Sequence, residues 1–382
     1  MKIVIDARIY ITGIGRYTRN LLQELSLIDT TNNYTVILRQ DGFENYTPPN
    51  PNFKKILADY APYSFAEQIL LTIKLLKQRP DLVHFTNFNI PLLYPGAYVL
   101  TIHDLIHMSH STFGSSTRSL PYYYFKKIVY FFAIRLAAHR AKKILVPSEA
   151  TKKDIIRHLK VSPLKIVVTH EGLDSKLTSN KKVFKNKSNQ VLEKYGIKCP
   201  YLLYVGTMYQ HKNHRRLIKA HKMGFNPQRG LNPKLVLVGK VDTFSHQLKK
   251  EVDQAGMTNQ IIFPGFTAPG GYAPDEDLHV LYQNALAYIF PSLKEGFGIP
   301  ILEAQAQGLP VLCSRISCLP EIAGDSALYF DPYSEEDIAD KIRKVMEDKK
   351  LRGQLISNGY QNIKRFSWEK MARETLSVYV KK

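Results

Sequence analysis

The chain has 382 residues, 44% of them apolar and 11% aromatic, with 21 Gly and 21 Pro, so a folded protein of more than one domain is expected and a disordered or collagen-like one is excluded. Lys and Arg outnumber Asp and Glu by 53 to 33, and the formal charge of +20 favours phosphate-bearing partners or an anionic membrane surface. Three cysteines, Cys199, Cys313 and Cys318, make no disulfide framework and form no C-x-x-C pair, which fits a reducing cytoplasm.

The opening MKIVIDARIY places Asp6 and Arg8 where a secretory signal needs an apolar core, and reads as a first strand, Lys2 to Ile5. Further short β-branched or apolar runs at Tyr34 to Leu38, Leu82 to Phe85, Tyr98 to Ile102 and Ile144 to Val146 alternate with helical patterns. In Tyr17 to Leu27 the apolar positions Leu21, Leu22 and Leu25 share one face, and Phe65 to Gln78 repeats that spacing. This rhythm predicts a parallel sheet with helical crossovers. The most apolar stretch, Ile128 to Ala138, contains Arg135 and is about half the ~20 residues a membrane span needs.

Residues 175–198 carry seven lysines against the single acid Glu193 and show little apolar periodicity before Val191, so they read as a surface linker. A second alternating series follows, with strands at Tyr201 to Val205, Lys234 to Val238, Gln260 to Phe263, Ala287 to Phe290 and Pro310 to Cys313. The expected division is a domain over 1–174, the linker, a second domain over 199–365 and a terminal helix over 366–382. Two doubly wound α/β halves would hold a ligand at the carboxyl ends of their strands.

The most informative segment is PSLKEGFGIPILEA, residues 291 to 304, which runs from a strand end into a helix. Gly296 and Gly298 let backbone approach a ligand, and Pro300 suits a first helical turn that needs no N–H partner. Unpaired N–H groups at such a helix start attract phosphate, whereas Glu295 and Glu303 accept hydrogen bonds from hydroxyls. Phosphate and hydroxyls together describe a nucleotide sugar. The spacing of Glu295 and Glu303, with Leu281-Tyr282, Pro291-Ser292, Gly308-x-Pro310, Pro320-Glu321 and Asp331-Pro332 in order around them, resembles glycosyltransferase family 4, mannosyltransferases among them.

That resemblance covers nearly the whole chain and implies a GT-B fold of two Rossmann-like domains facing a central cleft, and a retaining, metal-independent transfer of a hexosyl group with no cofactor. By resemblance Glu295 binds hydroxyls of the sugar, Glu303 those of the ribose, and the backbone of Gly296, Phe297 and Gly298 lies against sugar and diphosphate. Val205-Gly-Thr-Met-Tyr-Gln-His-Lys212-Asn resembles the diphosphate loop, with Lys212 as the cation that neutralises the leaving group. A solvated surface lysine is the other reading. Thr207 stands where many relatives have arginine, and Arg215 or Arg216 is a candidate substitute. Thr12-Gly13-Ile14-Gly15 resembles the loop brought to the diphosphate from the other domain, with Gly13 nearest; a plain tight turn explains it equally. The third glycine of a dinucleotide fingerprint is absent, since Thr18 holds that position.

Tyr98 to Asp104 delivers His103 to a strand end, where the resemblance implies a contact to the reacting sugar; a structural cap is the other reading. His103 and His107 have the spacing of a helical zinc pair but lack the glutamate of H-E-x-x-H. Asp275-Glu276-Asp277 reads as the acidic first turn of a helix, so no metal is expected. From Leu105 to Ser148 there is no acid, while Arg118, Lys126, Lys127, Arg135, Arg140, Lys142 and Lys143 supply seven cations among many aromatics. This belt fits either a core helix with a solvated face or a segment meeting anionic lipid or a polyprenyl-diphosphate-linked glycan acceptor. The expected enzyme serves polysaccharide synthesis in the cytoplasm or on the inner face of the membrane. A donor-binding but inactive module, made conceivable by Thr207, and a basic nucleic-acid-binding protein are the alternatives.

Overall fold

A computed structural model of the chain describes residues 1–109, 120–174, 185–198, 200–224 and 233–381. It divides into two compact units. The chain leaves the first after Gly172, builds the second from Leu173 to Phe366, and returns to the first at Ser367.

The first unit is a seven-stranded sheet of β1 (Lys2–Asp6), β2 (Asn33–Leu38), β3 (Phe53–Leu57), β4 (Leu82–Phe85), β5 (Tyr98–Thr101), β6 (Lys143–Val146) and β7 (Ile166–Val168). Its order is β3-β2-β1-β4-β5-β6-β7, and every pairing is parallel. Parallel strands are covered on both faces, which is why β1, β4 and β5 are nearly continuous apolar runs. The helix Gly15–Ile28 buries Tyr17, Leu21, Leu22 and Leu25. The terminal helix Trp368–Val380 packs against it, and the Ser367 side chain caps its start by accepting the Lys370 N–H at 3.0 Å. Trp368 is buried in that packing. A side chain at Gly172 would strike the Trp368 backbone 2.2 Å away, so the chain leaves this unit hard against the point of its return.

The second unit is a six-stranded sheet of β8 (Tyr201–Val205), β9 (Lys234–Val238), β10 (Ile261–Ile262), β11 (Ala287–Phe290), β12 (Val311–Ser314) and β13 (Ala327–Phe330). The order β10-β9-β8-β11-β12-β13 repeats the winding of the first sheet, again all parallel. In each sheet the chain winds outward both ways from a central pair, β1 with β4 and β8 with β11. Such a switch point opens a crevice at the carboxyl ends of the strands.

The expected linker is corrected in its described part. The helix Lys185–Lys194 occupies 185–194, and Val191, Leu192, Tyr195 and Ile197 are buried in the second unit. Tyr195 and Lys194 both donate to Asp277 Oδ2, at 2.6 and 2.7 Å. A helix with one narrow apolar stripe and many lysines hides its periodicity from composition. Residues 175–184 lie outside the described residues, as do Cys199 and Arg118.

Candidate active site

The donor elements expected from sequence meet at the switch point of the second sheet. Strand β8 is followed by Gly206, whose φ of 152° and whose missing Cβ, which would lie 2.7 Å from the Tyr204 hydroxyl, both demand glycine. The chain then makes a single 3-10 turn, Gln210–Lys212, and enters the helix His214–Gly224 through Asn213, held in the left-handed region at φ 63°. The loop after the neighbouring strand β11 is tied to this turn, because the Leu293 N–H donates to the His211 carbonyl at 2.7 Å.

That tie brings Lys212 and Glu295 together. Lys212 Nζ lies 2.5 Å from Glu295 Oε1, with side chains 15% and 10% exposed, and 5.6 Å from the centre of the Phe290 ring. Lys212 is therefore not the solvated surface lysine of the alternative reading. The Glu295 loop is fixed from behind by Ser317 Oγ and Cys318 Sγ, which donate to the Glu295 carbonyl at 2.9 and 3.3 Å, and Cys318 Sγ also reaches the Phe297 carbonyl at 3.0 Å. Phe297 is buried edge-on against Phe366.

Gly298 starts the helix Ile299–Ala306 with φ 115° and no side-chain cap, and Pro300 sits in its first turn. The helix start therefore presents backbone rather than side chain at the carboxyl edge of β11. Glu303, on the next turn, is buried and accepts the Tyr282 hydroxyl at 3.1 Å through Oε2. Two buried polar atoms here lack a protein partner: Ser292 Oγ and His214 Nε2. Burial, followed by the positive charges of Lys212, His211 and Arg215, pushes His214 down to about 3, so it is neutral.

The candidates for replacing the arginine missing at Thr207 are otherwise engaged. Arg215 makes a two-pronged pair with Glu251 at 2.7 and 2.6 Å, and Arg216 donates to Asn213 Oδ1 at 3.2 Å while covering the Tyr333 ring. Of these three cations, Lys212 is the one paired with Glu295. Asp275, Glu276 and Asp277 form a helical first turn, and among the described residues no three His, Cys, Asp or Glu side chains gather as metal ligands.

In the first unit His103 follows β5 and is 9% exposed. Its Nε2 donates to the Thr86 carbonyl at 3.1 Å, and its Nδ1 faces Glu171 Oε1 at 3.3 Å. A carbonyl can only accept, so Nε2 bears a proton, and the ring is held between that carbonyl and the Glu171 carboxylate. The Tyr17 ring packs edge-on against it at 4.9 Å. Asp104 shapes the following loop by accepting the Ile106 N–H. At Gly13 an added Cβ meets open space, whereas at Gly15 it would lie 2.2 Å from the Tyr10 carbonyl; close packing demands glycine at 15, and 13 is left uncrowded. The side chain of His107 lies outside the described residues.

Sequence reading missed Glu171, which is distant in the chain from His103, and the buried network at the end of β1. There Arg8 clamps Asp6 through Nε and a terminal nitrogen at 2.9 and 2.8 Å, and pairs with Glu67 and the Asn89 carbonyl. The proximity of Asp6 and Arg8 is visible in sequence, but a partner 59 residues away is not.

Residues 186–362 match the profile of glycosyl transferases group 1, and residues 11–177 that of Glycosyltransferase Family 4. The O-antigen chain mannosyltransferase B of Escherichia coli is 32% identical over 302 residues, covering 78% of this chain and 73% of that protein. The chain belongs to glycosyltransferase family 4. Its fold is shared with WaaG, a glycosyltransferase involved in lipopolysaccharide biosynthesis (TM-score 0.74, 17% identity, 100% of both chains), and with Anabaena HepE in complex with UDP-glucose (0.74, 17%, 99% and 100%). These are GT-B structures, and this chain has the GT-B fold. As a family 4 glycosyltransferase it carries Lys212, Glu295 and Glu303 in the segment matching group 1, and Gly13 and His103 in the segment matching Family 4.

Proposed function

We propose that this glycosyltransferase is a retaining hexosyltransferase, moving a mannosyl group from a nucleotide sugar, GDP- or UDP-linked, to a hydroxyl of a glycan or polyprenyl-diphosphate-linked acceptor in cell-envelope polysaccharide synthesis. The observation that carries the reading is the Lys212–Glu295 pair at the β8–β11 switch point, beside the uncapped helix start at Gly298. A nucleotide sugar has what each partner needs: hydroxyls for Glu295, and a diphosphate for Lys212 and the helix-start amides. The 32% identical relative is an O-antigen chain mannosyltransferase, and the neighbour of like fold was solved with UDP-glucose, which supports the choice of sugar and of donor class.

In the proposed step the bond from the anomeric carbon to the diphosphate oxygen breaks while the acceptor oxygen bonds to the same face of that carbon. The acceptor proton passes to an oxygen of the departing diphosphate, so no carboxylate base is required. The charge that grows on the leaving group is met by Lys212 and by backbone N–H groups, which assigns to protein groups the neutralisation a metal ion would otherwise supply. His103, held by Thr86 and Glu171, is assigned a hydrogen bond to the sugar. On this reading the enzyme works in the cytoplasm, where the nucleotide sugar is supplied, against the inner face of the membrane.

The test is thermal stabilisation and sugar transfer with GDP-mannose, UDP-glucose, UDP-galactose and UDP-N-acetylglucosamine side by side. One donor at 100 times its Kd stabilises by about 2.7 kcal/mol. Transfer of mannose with retained configuration, seen by NMR of the product, supports the reading. Stabilisation by none of the four, or an inverted product, overturns it.

A further inference from the structure

The outer layer of the first unit leaves an apolar face uncovered. The π-turn Glu67–Leu71 and the helix Thr72–Gln78 bury Leu71 and Leu75 in the core but turn Ile69 and Ile73 outward, and Phe65 just before them is 86% exposed. The helix Leu120–Arg140 likewise buries Ile134, Ala137 and Ala138 and turns Phe132 and Leu136 outward. Both helices hold the strap 89–94 between them: Gln68 bonds the Ile90 carbonyl and the Leu92 N–H, while Arg140 donates to the Leu92 and Tyr94 carbonyls. Leu93, on that strap, is 65% exposed.

The charge around this surface is predominantly positive; Asp81, exposed two residues past Arg79, accepts the Lys2 N–H at 2.7 Å. Lys77 and Arg79 at the end of the first helix, and Arg140 and Lys142 at the end of the second, are exposed. The single acid between Phe65 and Arg79 is Glu67, which is fully buried and paired with Arg8, and Leu105 to Ser148 contains no acid. The flanking carboxylates Asp59 and Glu149 are paired with Arg39 and Lys152. Monomeric soluble proteins rarely leave a large contiguous apolar patch bare. Exposed aliphatic and aromatic side chains on two helices that share one core, with cations at the helix ends, match the acyl boundary and headgroups of an anionic bilayer. A second copy of the chain fits less well, since a two-fold contact would set like-charged rims against each other.

We propose that this face of the first unit seats the enzyme on an anionic lipid bilayer. The belt expected from sequence supplies only part of it: the side chains of Tyr122, Tyr123, Tyr124 and Lys126 lie outside the described residues, and the segment 65–79 contributes apolar anchors the belt did not include. The seat deepens the proposed lipid-linked acceptor and rests on that reading for its purpose, but vesicle binding needs neither donor nor acceptor, so the two fail separately.

The experiment is flotation of the full chain with vesicles of phosphatidylcholine alone and of phosphatidylcholine mixed with phosphatidylglycerol. The protein is expected to float with the anionic vesicles and to be released by salt. Ile69→Gln with Ile73→Gln and Phe132→Gln should weaken partitioning at least about tenfold, and Lys77→Gln with Arg79→Gln and Lys142→Gln about fivefold per cation. Both variants should keep the wild-type circular dichroism spectrum and thermal transition, which reports their folding. Should the apolar variant not fold, the charge variant decides. The proposal is overturned if the wild type stays unbound at low salt, if a folded variant floats as the wild type does, or if light scattering shows a dimer that the apolar variant dissociates.

Discussion

Replacing Glu295 by Gln separates the two roles assigned to the Lys212–Glu295 pair. The carboxylate holds the ammonium at 2.5 Å in a setting only 10–15% exposed, so a diphosphate that binds Lys212 competes with Glu295 for it. A pair at this depth lies between exposed ones, worth about 0–1 kcal/mol, and fully buried ones, whose rupture costs about 3–5 kcal/mol. A competing contribution of about 1 kcal/mol is taken here. Glu295→Gln removes that competition, so the free nucleoside diphosphate should bind about fivefold tighter, since 1.4 kcal/mol is tenfold. Turnover should nevertheless fall about a hundredfold or more, because the sugar loses a charged acceptor that helps stabilise its reacting form. Isothermal titration with GDP and UDP, alongside donor turnover, reads both effects. Tighter product binding with slower turnover is the expected signature. If Glu295→Gln weakens diphosphate binding, the pair is not opened by the ligand and the reasoning fails.

Lys212→Ala should lower turnover by about two to three orders of magnitude and weaken diphosphate binding together, because one charge serves donor and product; unchanged product affinity in titration would remove Lys212 from the site. Gly206→Ala places a methyl 2.7 Å from the Tyr204 hydroxyl at φ 152° and should cost about 1–3 kcal/mol, read as a lowered denaturant midpoint. His84 and His214 are buried and pushed down to about 3, by burial first and then by neighbouring positive groups. Their unfolded forms take up protons below about pH 6.5 while the folded forms do not, so each should withdraw about 2 kcal/mol of stability by pH 5; the paired substitutions His84→Gln and His214→Gln should flatten that acid slope in chemical denaturation. Glu171→Gln removes the carboxylate 3.3 Å from His103 Nδ1 and should lower turnover while leaving diphosphate affinity alone; unchanged turnover in a folded variant would show that Glu171 does not position His103.

Much of this was legible because parallel strands buried on both faces announce themselves as apolar runs, and the two alternating series led directly to two doubly wound sheets. The strands that escaped notice had weaker signals. In Phe53–Leu57 two lysines interrupt the run, Ile166–Val168 is three residues long, and Ala327–Phe330 is only half buried at its centre. Lys212 and Glu295 could each be singled out from local motifs. Their pairing could not, since it depends on the bond from Leu293 to His211 between loops some 80 residues apart. The same holds for Glu171 beside His103 and for Glu67 beside Arg8, where a distant carboxylate completes a site whose other half is local. The exposed face at Phe65, Ile69 and Ile73 was hidden for the opposite reason: an apolar helical repeat reads as core, and only the folded chain shows which side is left bare.

The structure of the enzyme crystallised with GDP-mannose tests the central claim most directly. The account predicts that the Lys212–Glu295 contact opens, with the diphosphate within hydrogen-bonding distance of Lys212 Nζ and the amides before Ile299, and with sugar hydroxyls on Glu295. A nucleotide sugar bound elsewhere, with the 2.5 Å pair still closed, would contradict it.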